Sequence, residues 1–209
     1  MTSTQPRDYS LIAPIYDQVF NRMLSEGHRK LGALLQTKKR TPGIKVLEVG
    51  VGSGLMLDYV PTGLDYHGID VNKNMLSLAH VKAKSYRRKK IALSLMDAHK
   101  LTLPKNSFDL VMAASVLSAV DHPEQVMKEM VKVTKKGGYI AVITNLRQKN
   151  SRSNIVKAFD PFTKRFLGFR TDLESDIFNG FKEIVLVEKE PVNNLLGFPL
   201  STYLLFQKK

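Results

Sequence analysis

The sequence predicts an α/β domain built on a largely parallel sheet. Short apolar segments, typical of buried strands, alternate with segments of about ten or more residues whose apolar positions recur at helical spacing. A glycine-rich turn at residues 50–54 follows the first of these strands and precedes a segment of helical character. Strands that are joined by helices lie parallel in a sheet, and the helices then cover both of its faces.

The predicted elements follow one another in a regular order. The first five strands are expected at 46–50, 66–70, 91–96, 108–114 and 139–144. Helices are expected at 73–84 and 123–135. Two further strands, 182–187 and 202–206, are separated by the connection 191–199, which is too short for a helical crossover. We therefore predict a Rossmann-like, doubly wound, seven-stranded sheet that is mostly parallel and ends in an antiparallel hairpin.

Two regions lie outside this predicted sheet. Leu11, Ile15, Val19 and Met23 are four residues apart, so the N-terminal region reads as an amphipathic helix. The length of 209 residues is that of one domain. We predict a single domain over 1–209, with an N-terminal helical cap at 1–40 and a helical lid inserted at 150–180, before the sixth strand.

Composition limits the chemistry and the partners. The chain has no cysteine, which excludes disulfides, thiolate metal sites and cysteine nucleophiles, and we predict no metal site. The net charge of +13 favours polyanions, either nucleic acid or acidic lipid, although basic residues can also serve solubility alone. No segment is apolar over the roughly 18 to 20 residues of a spanning helix, and residues 1–8 are too poor in apolar residues for a signal peptide. We expect a cytoplasmic protein.

The segment VLEVGVGSG at 46–54 is the first candidate binding site. Gly50, Gly52 and Gly54 would let the backbone approach a ligand where a buried strand ends. Glycines alone fit either a dinucleotide site or a plain tight turn, and a phosphate-binding P-loop is excluded because no Gly-Lys-Ser/Thr follows. Glu48 would repel a pyrophosphate but could organise the amino group of a cationic amino-acid ligand. These residues favour a cofactor without phosphate.

Two acidic residues at strand ends extend this site. Asp70 closes the second strand, where acidic residues hold ribose hydroxyls in doubly wound sheets. Asp97 follows the third strand, where its carboxylate could accept a hydrogen bond from the amine of adenine or could simply cap a turn.

Together these residues resemble class I S-adenosylmethionine-dependent methyltransferases. The resemblance covers about residues 44–144 and includes LPKNSFDLV at 103–111 and KKGG at 135–138. It implies S-adenosylmethionine as the cofactor and S-adenosylhomocysteine as its product. The methionine part would lie against the glycines, the ribose at Asp70, the adenine face at Met75 and the methyl group above Ser115 and Val116. The cofactor residues implied are Glu48, Gly50, Gly52, Gly54, Asp70, Val71, Met75, Met96, Asp97, Ala98 and Ser115.

The flanks of the chain resemble a narrower group. The segments YSLIAPIYDQVF at 9–20, VDHPE at 120–124, LGFRTDL at 167–173 and NLLGFPL at 194–200 look like the short soluble bacterial phospholipid N-methyltransferases. Members of that family convert phosphatidylethanolamine towards phosphatidylcholine. The Ala-Pro-x-Tyr-Asp segment also resembles quinone-pathway and other small-molecule methyltransferases. A quinone precursor or another small molecule is therefore the alternative acceptor, and a non-catalytic module that kept the cofactor fold is a second alternative.

An aromatic segment supports a lipid substrate. Six of the ten phenylalanines lie within 159–181, and Lys157, Lys164, Arg165 and Arg170 are interleaved with them. A helix with this pattern can lie in a membrane interface, or it can pack against the sheet. We expect a phospholipid substrate and peripheral association with the anionic inner face of the membrane. No motif typical of nucleic-acid binding stands out, so we do not expect a nucleic-acid partner.

Two residues are candidates for handling the acceptor amine, which must lose a proton before it attacks. Tyr16 matches the tyrosine of the family motif and could orient the amine or stabilise its cation through the ring. His122 is the second candidate, as a proton acceptor.

Overall fold

A seven-stranded sheet with the order β3-β2-β1-β4-β5-β7-β6 forms the centre of the structure. The computed structural model describes residues 13–39, 41, 43–86, 90–146, 173–195 and 198–209, with side chains from residue 25 onward except those of 194–199. The strands are β1 (Lys45–Val49), β2 (Asp65–Asp70), β3 (Lys90–Leu95), β4 (Phe108–Ala114), β5 (Thr134–Thr144), β6 (Ile184–Leu195) and β7 (Phe198–Lys208). The helices are α1 (Ala13–Lys38), α2 (Lys73–Lys84) and α3 (Pro123–Val133), and two short 3-10 helices lie at Leu55–Asp58 and Ser175–Phe178.

The predicted fold class is confirmed. The first five strands pair in parallel, whereas β7 pairs antiparallel with both β5 and β6. The chain passes from β1 to β2 and β3 on one side of the sheet and from β4 to β5 on the other. The connections that follow β1 and β4 therefore run to opposite sides of the sheet, and in such sheets the ligand-binding crevice lies at the carboxyl ends of the strands at this reversal.

The predicted antiparallel pairing of the last two strands is confirmed, but the connection between them is shorter than the predicted 191–199. Both strands continue through 191–199, because Asn194 pairs with Pro199 and Leu195 pairs with Phe198. Only residues 196–197 remain between the two strands. Proline cannot donate to a strand ladder, but each proline of this stretch stands where that donor is dispensable. Pro191 is on the edge strand, and Pro199 lies beyond the end of β5, which stops opposite Thr202.

Helix α3 and strand β5 also meet earlier than the sequence indicates. The helix ends at Val133 rather than at 135, and β5 begins at Thr134 rather than at 139. The Thr134 hydroxyl donates to the Met130 carbonyl at 2.7 Å, and a register irregularity in the pairing of β4 with β5 takes up the extra residues. The glycine pair at 137–138 thus lies inside β5, although the apolar residues predict a strand that starts only at Tyr139.

Apolar side chains cover both faces of the sheet. On one face, α3 buries the four residues that its helical spacing places inward, namely Val126, Met127, Met130 and Val133. On the other face, Leu31 and Leu35 of α1 pack against Val46, Leu64 and Tyr66. The predicted N-terminal helix is therefore present, and its C-terminal half is anchored by burial of apolar area.

The predicted aromatic lid lies mostly outside the described residues, as do the side chains of Phe159, Phe162, Phe166 and Phe169. Its last part is described and belongs to the core. Phe178 is buried with its ring centroid 5.1 Å from that of Phe206, and Phe181 packs against the same cluster. Phe178 is therefore part of the core, and Phe181 is partly buried against it. Among the described residues, no helix combines the length and hydropathy that crossing a bilayer requires.

His28 is a buried histidine on α1. Its ring lies 6.0 Å from that of Tyr59, and its Nδ1 atom is buried without a hydrogen-bond partner. Burial and the positive charge of Lys82 lower the pKa of His28 to about 4, although Asp58 opposes this shift. The folded protein therefore keeps His28 neutral at pH values where the unfolded chain would protonate it.

We predict that His28 makes the fold sensitive to acid. The stability that the protein gains from a neutral His28 is fully present above the unfolded pKa of about 6.5. It is lost as the pH falls through the folded pKa of about 4, because the unfolded chain binds the proton first. Over this interval the free energy of unfolding should fall by about 3 kcal/mol on account of this residue. Urea denaturation of wild type and His28→Leu at several pH values between 7.5 and 4 measures it. The variant should show a shallower decline, and identical declines would contradict the assignment.

Candidate functional site

The turn after β1 contains one glycine, Gly50, that has no room for a side chain and one, Gly52, that borders free space. Gly50 and Gly52 have φ angles of 74° and 54°, in the left-handed region that favours glycine. A Cβ atom at Gly50 would lie 2.3 Å from Cγ2 of Val116, whereas one at Gly52 would meet nothing nearer than Cε of Met75 at 3.7 Å. Gly50 therefore lets the turn pack against the loop after β4, and Gly52 leaves its backbone open to a ligand.

Asp70 fastens this turn to the end of β2. Its Oδ2 atom accepts a hydrogen bond from the Gly52 amide at 2.8 Å, and its Oδ1 atom accepts one from the Asn72 amide at 2.8 Å. Burial raises the pKa of Asp70, and the hydrogen bonds from the backbone of Asn72, Gly52 and Val71 oppose that shift. One carboxylate thus joins two loops and still has lone pairs for a further donor.

Glu48 lies in the core beneath the same turn. It is 3% exposed, and its carboxyl group accepts a hydrogen bond from the Tyr66 hydroxyl. Burial, followed by the negative charge of Asp70, raises the pKa of Glu48 well above its usual value. A cation nearby would favour the ionised carboxylate and lower this pKa again. Glu48 is therefore suited to respond to a positively charged ligand.

The start of α2 shapes one wall of the site. Oδ1 of Asn72 caps the helix by accepting hydrogen bonds from the amides of Asn74 at 2.9 Å and Met75 at 3.2 Å. This cap holds the buried Met75 beside Gly52. Val71, directly after Asp70, leaves about half of its surface exposed at the same edge. An apolar side chain there can serve as a platform for a planar ring.

The end of β3 adds a second acceptor. The Met96 amide donates to the Asp70 carbonyl at 2.9 Å, which brings the two strand ends together, and Ala98 and Met96 pack against the core. Oδ1 of Asp97 accepts hydrogen bonds from the His99 amide at 2.9 Å and from His99 Nδ1 at 2.8 Å. Burial raises the pKa of Asp97, but the hydrogen bonds and charge of His99 outweigh this and lower it. Asp97 thus caps a turn, which is one of the two roles that the sequence allowed. Its side chain is still more than half exposed.

The loop after β4 forms the remaining wall. Ser115 has a φ angle of 62°, which is uncommon for a residue with a Cβ atom, and its amide donates to the Ile143 carbonyl at 2.7 Å. The next residue, Val116, contacts Gly50. The loops after β1 and β4 are therefore in contact at the point where the strand order reverses.

The two candidates for handling the acceptor are placed differently. His122 is exposed at the start of α3, and its ring centroid is 6.2 Å from that of His99 in an edge-on arrangement. Both rings line a cleft of about 1050 Å³, together with Asp121, Gln125, Lys128 and Phe181. Tyr16 lies within α1, but its side chain falls outside the described residues.

His99 is the residue of this region that the sequence reasoning missed. The Asp-x-His spacing of Asp97 and His99 is the signal that could have found it, because a carboxylate two residues before a histidine can reach its ring. Among the described residues, no group of three histidine or acidic side chains is arranged to hold a metal ion. The observed site has an open glycine backbone, an apolar platform, two carboxylate acceptors and a buried acid. These features suit a nucleoside joined to a cationic group.

Comparisons with known proteins agree with this chemistry. Residues 47–142 match the methyltransferase domain family. A phosphatidylethanolamine N-methyltransferase of Cereibacter sphaeroides is 31% identical over 197 residues, which cover 93% of each chain. A demethylmenaquinone methyltransferase of Renibacterium salmoninarum is 35% identical over 134 residues, 63% of this chain and 54% of that protein. The crystal structure of a methyltransferase from Aquifex aeolicus covers 96% of this chain with a TM-score of 0.66 and 20% identity.

We predict that Gly50→Ala destabilises the protein more than Gly43→Ala. Both glycines have a φ of 74°, but a Cβ atom at Gly43 would meet nothing within 4 Å. The shared cost of positive φ is about 1–2 kcal/mol. The overlap with Val116 should add about 1–3 kcal/mol at Gly50 alone. Chemical denaturation of both variants, and of Gly50→Ala combined with Val116→Ala, measures the difference. Equal losses, or no recovery in the double variant, would mean that the two loops are not packed as described.

Proposed function

This chain belongs to the S-adenosylmethionine-dependent methyltransferases, and we propose that it methylates the amine of phosphatidylethanolamine and of its methylated derivatives, towards phosphatidylcholine. The observation that carries the proposal is the relative from Cereibacter sphaeroides, which is similar over 93% of both chains, including the flanks outside the methyltransferase domain match. In methyltransferases of this fold, the flanks are where an acceptor can be covered, because the sheet itself is used for the cofactor.

The proposed cofactor site is the crevice between the loops after β1, β2, β3 and β4. Bound there, S-adenosylmethionine supplies an activated methyl group on a sulfonium centre. Asp70 would accept hydrogen bonds from the ribose hydroxyls while it keeps those from Gly52 and Asn72. The open backbone at Gly52 would border the methionine part. The remaining proposed contacts are Gly50, Gly54, Val71, Met75, Met96, Asp97, Ala98 and Ser115.

Glu48 would act on the charge of the cofactor. Its buried carboxyl has a strongly raised pKa, so in the absence of a cation it favours the protonated form. An ammonium or sulfonium group nearby stabilises the carboxylate, which would couple binding to proton release. The Tyr66 hydroxyl donates to Glu48 and would hold the carboxylate in place.

Methyl transfer then requires that the acceptor nitrogen be deprotonated and aligned with the methyl group. We propose that Tyr16 orients the amine through its hydroxyl or its ring, and that His122 is the second candidate for taking the proton. His122 lies on the side of the site where Asp97 and His99 end the third strand. The amine is the only part of the lipid that has to reach the crevice, so the acyl chains can remain in the bilayer.

The location of the substrate implies contact with a membrane. The net charge of +13 attracts the anionic lipids of an inner membrane face at long range, and salt should weaken this attraction. Peripheral association through the N-terminal helix and the 159–181 segment remains a proposal, because the described part of that segment, Phe178 and Phe181, packs against the core.

A quinone precursor is the second candidate acceptor. The relative from Renibacterium salmoninarum is 35% identical, slightly more than the lipid methyltransferase, but the aligned part covers only 54% of that protein. The similarity to the quinone enzymes is thus confined to a smaller share of their length. A carbon acceptor would need no amine deprotonation, which offers a way to separate the two functions.

We predict that the purified protein transfers labelled methyl groups to phosphatidylethanolamine in preference to demethylmenaquinol or RNA. Tyr16→Ala should reduce this transfer, by about 10²-fold or more if the tyrosine hydroxyl acts on the proton. In that case Tyr16→Phe should lose as much activity as Tyr16→Ala. If only the ring is needed, Tyr16→Phe should retain activity. Tyr139→Phe, a change in the middle of β5 rather than at the carboxyl ends of the strands, is the matched control and should be active. Wild-type turnover by Tyr16→Ala, or label found only in the quinol, would overturn the assignment.

A further inference from the structure

The flank of the sheet formed by α2 and β3 carries an excess of basic residues. Between residues 71 and 96 the sequence contains seven lysines and arginines and no aspartate or glutamate. Residues 87–89 of this stretch lie outside the described residues, and the other four cations are Lys73, Lys82, Lys84 and Lys90. Lys82 and Lys90 form ion pairs with Asp58 and Asp65, which belong to other elements. An acid-free stretch of this length would repel a basic partner and attract an anionic one.

The same flank exposes apolar side chains. Leu78 is 43% exposed and Val81 is 69% exposed. Val81 lies on the face of α2 opposite its buried residues Met75, Leu76 and Ala79, and Leu78 lies one turn before it. Lys84 lies at the end of this helix, beside the stripe. Leu95, at the end of β3, is 57% exposed. Polar residues usually occupy the outer face of a surface helix, so an apolar stripe between cations marks a contact surface.

The opposite edge of the sheet offers a direct comparison. Strand β6 exposes Val185, Leu186 and Val187, which are as apolar as the α2 stripe. Three glutamates, Glu183, Glu188 and Glu190, and two lysines, Lys182 and Lys189, lie in or directly beside that strand. The two edges therefore expose similar apolar surface but differ in their balance of charge, and the α2–β3 flank is the more basic of the two.

We propose that the α2–β3 flank is the surface that rests on an anionic phospholipid bilayer, with Leu78 and Val81 entering the interface and the lysines facing the lipid phosphates. This inference rests on the proposed function, since it supplies the membrane contact that a lipid acceptor requires. Salt-sensitive attraction by the cations and salt-resistant insertion of the apolar stripe would act together.

The position of the flank relative to the crevice supports this orientation. Leu95 is the register partner of Asp70, so the exposed end of β3 lies one strand, about 5 Å, from the backbone of Asp70. Helix α2 begins directly after that carboxylate, with Asn72 as its cap. A bilayer in contact with this flank would therefore meet the protein beside the mouth of the crevice, where a lipid headgroup has the shortest way to travel.

RNA is the other polyanion that a basic flank could attract, but it would bind through different side chains. Binding to RNA phosphates would depend on the lysines and would be largely insensitive to Leu78 and Val81. A bilayer requires both. The apolar stripe therefore favours the bilayer, and replacing it separates the two partners.

The test is sedimentation with vesicles of phosphatidylglycerol and phosphatidylcholine that contain no phosphatidylethanolamine. Lys84→Glu should weaken binding by at least about fivefold at low salt. The double variant Leu78→Ser with Val81→Ser should weaken it by about tenfold or more, and this loss should persist at high salt. The matched controls at the acidic edge, Lys189→Glu and Val185→Ser with Leu186→Ser, should bind as wild type does. Thermal melting of each variant verifies that these exposed changes leave the fold intact.

A second readout separates this inference from the proposed function. On short-chain phosphatidylethanolamine kept below its micellar concentration, the α2 variants should turn over as fast as wild type, whereas on vesicles they should be slower. Vesicle binding by the double variant at the wild-type level, or competition by RNA that the double variant does not alter, would overturn the docking surface. If wild type binds vesicles through this flank but never methylates the amine, the docking surface stands and only the proposed acceptor fails.

Discussion

The carboxylate of Asp70 is the interaction on which the site depends. It accepts hydrogen bonds from the amides of Gly52 and Asn72, at 2.8 Å each, and so ties the turn after β1 to the start of α2. The carbonyl of the same residue accepts from Met96 and brings in the end of β3. Three of the four loops that border the crevice are therefore fixed to one residue, and the fourth is fixed by the contact of Val116 with Gly50. A ligand that binds here meets a backbone arranged in advance, which lowers the entropic cost of binding.

Electrostatics give this arrangement a preference for positive charge. Glu48 is buried and Asp70 is partly buried, this burial raises the pKa of each, and the charge of Asp70 raises that of Glu48 further. Two carboxylates held close together repel each other, which disfavours their ionised forms. A cation bound nearby offsets this repulsion. The site thus differs from a dinucleotide site, because the negative charge of an ionised Glu48 would repel a pyrophosphate. The basic surface acts at longer range on anionic partners, so the crevice and the exterior of the protein have opposite charge preferences.

Most of the fold could be predicted because each element obeys a local rule. The bounds of α2 and β4 follow from apolar spacing alone, and the glycine turn and Asp70 occupy the positions that a doubly wound sheet requires. The antiparallel hairpin could be predicted from its short connection, but its extension through Pro191 and Pro199 could not, because the tolerance for proline there depends on which strands lie at the edge. Asp97 shows the same limit within the site. Its bond to His99 depends on the conformation of one turn, and the sequence alone leaves both its roles open.

The central claim is that the turn at residues 50–54, held by Asp70, binds the cofactor. The most direct measurement is a nitrogen-15 NMR titration with S-adenosylhomocysteine, in which glycine amides are readily distinguished. The amides of Gly50, Gly52 and Asn72 should shift together with one dissociation constant, since all three belong to the network around Asp70. The turn glycines Gly43, Gly63 and Gly137, which also have positive φ, should not move because they lie away from the crevice. Saturation of the protein with unchanged Gly52 and Asn72 resonances, or shifts clustered elsewhere in the sheet, would contradict the claim.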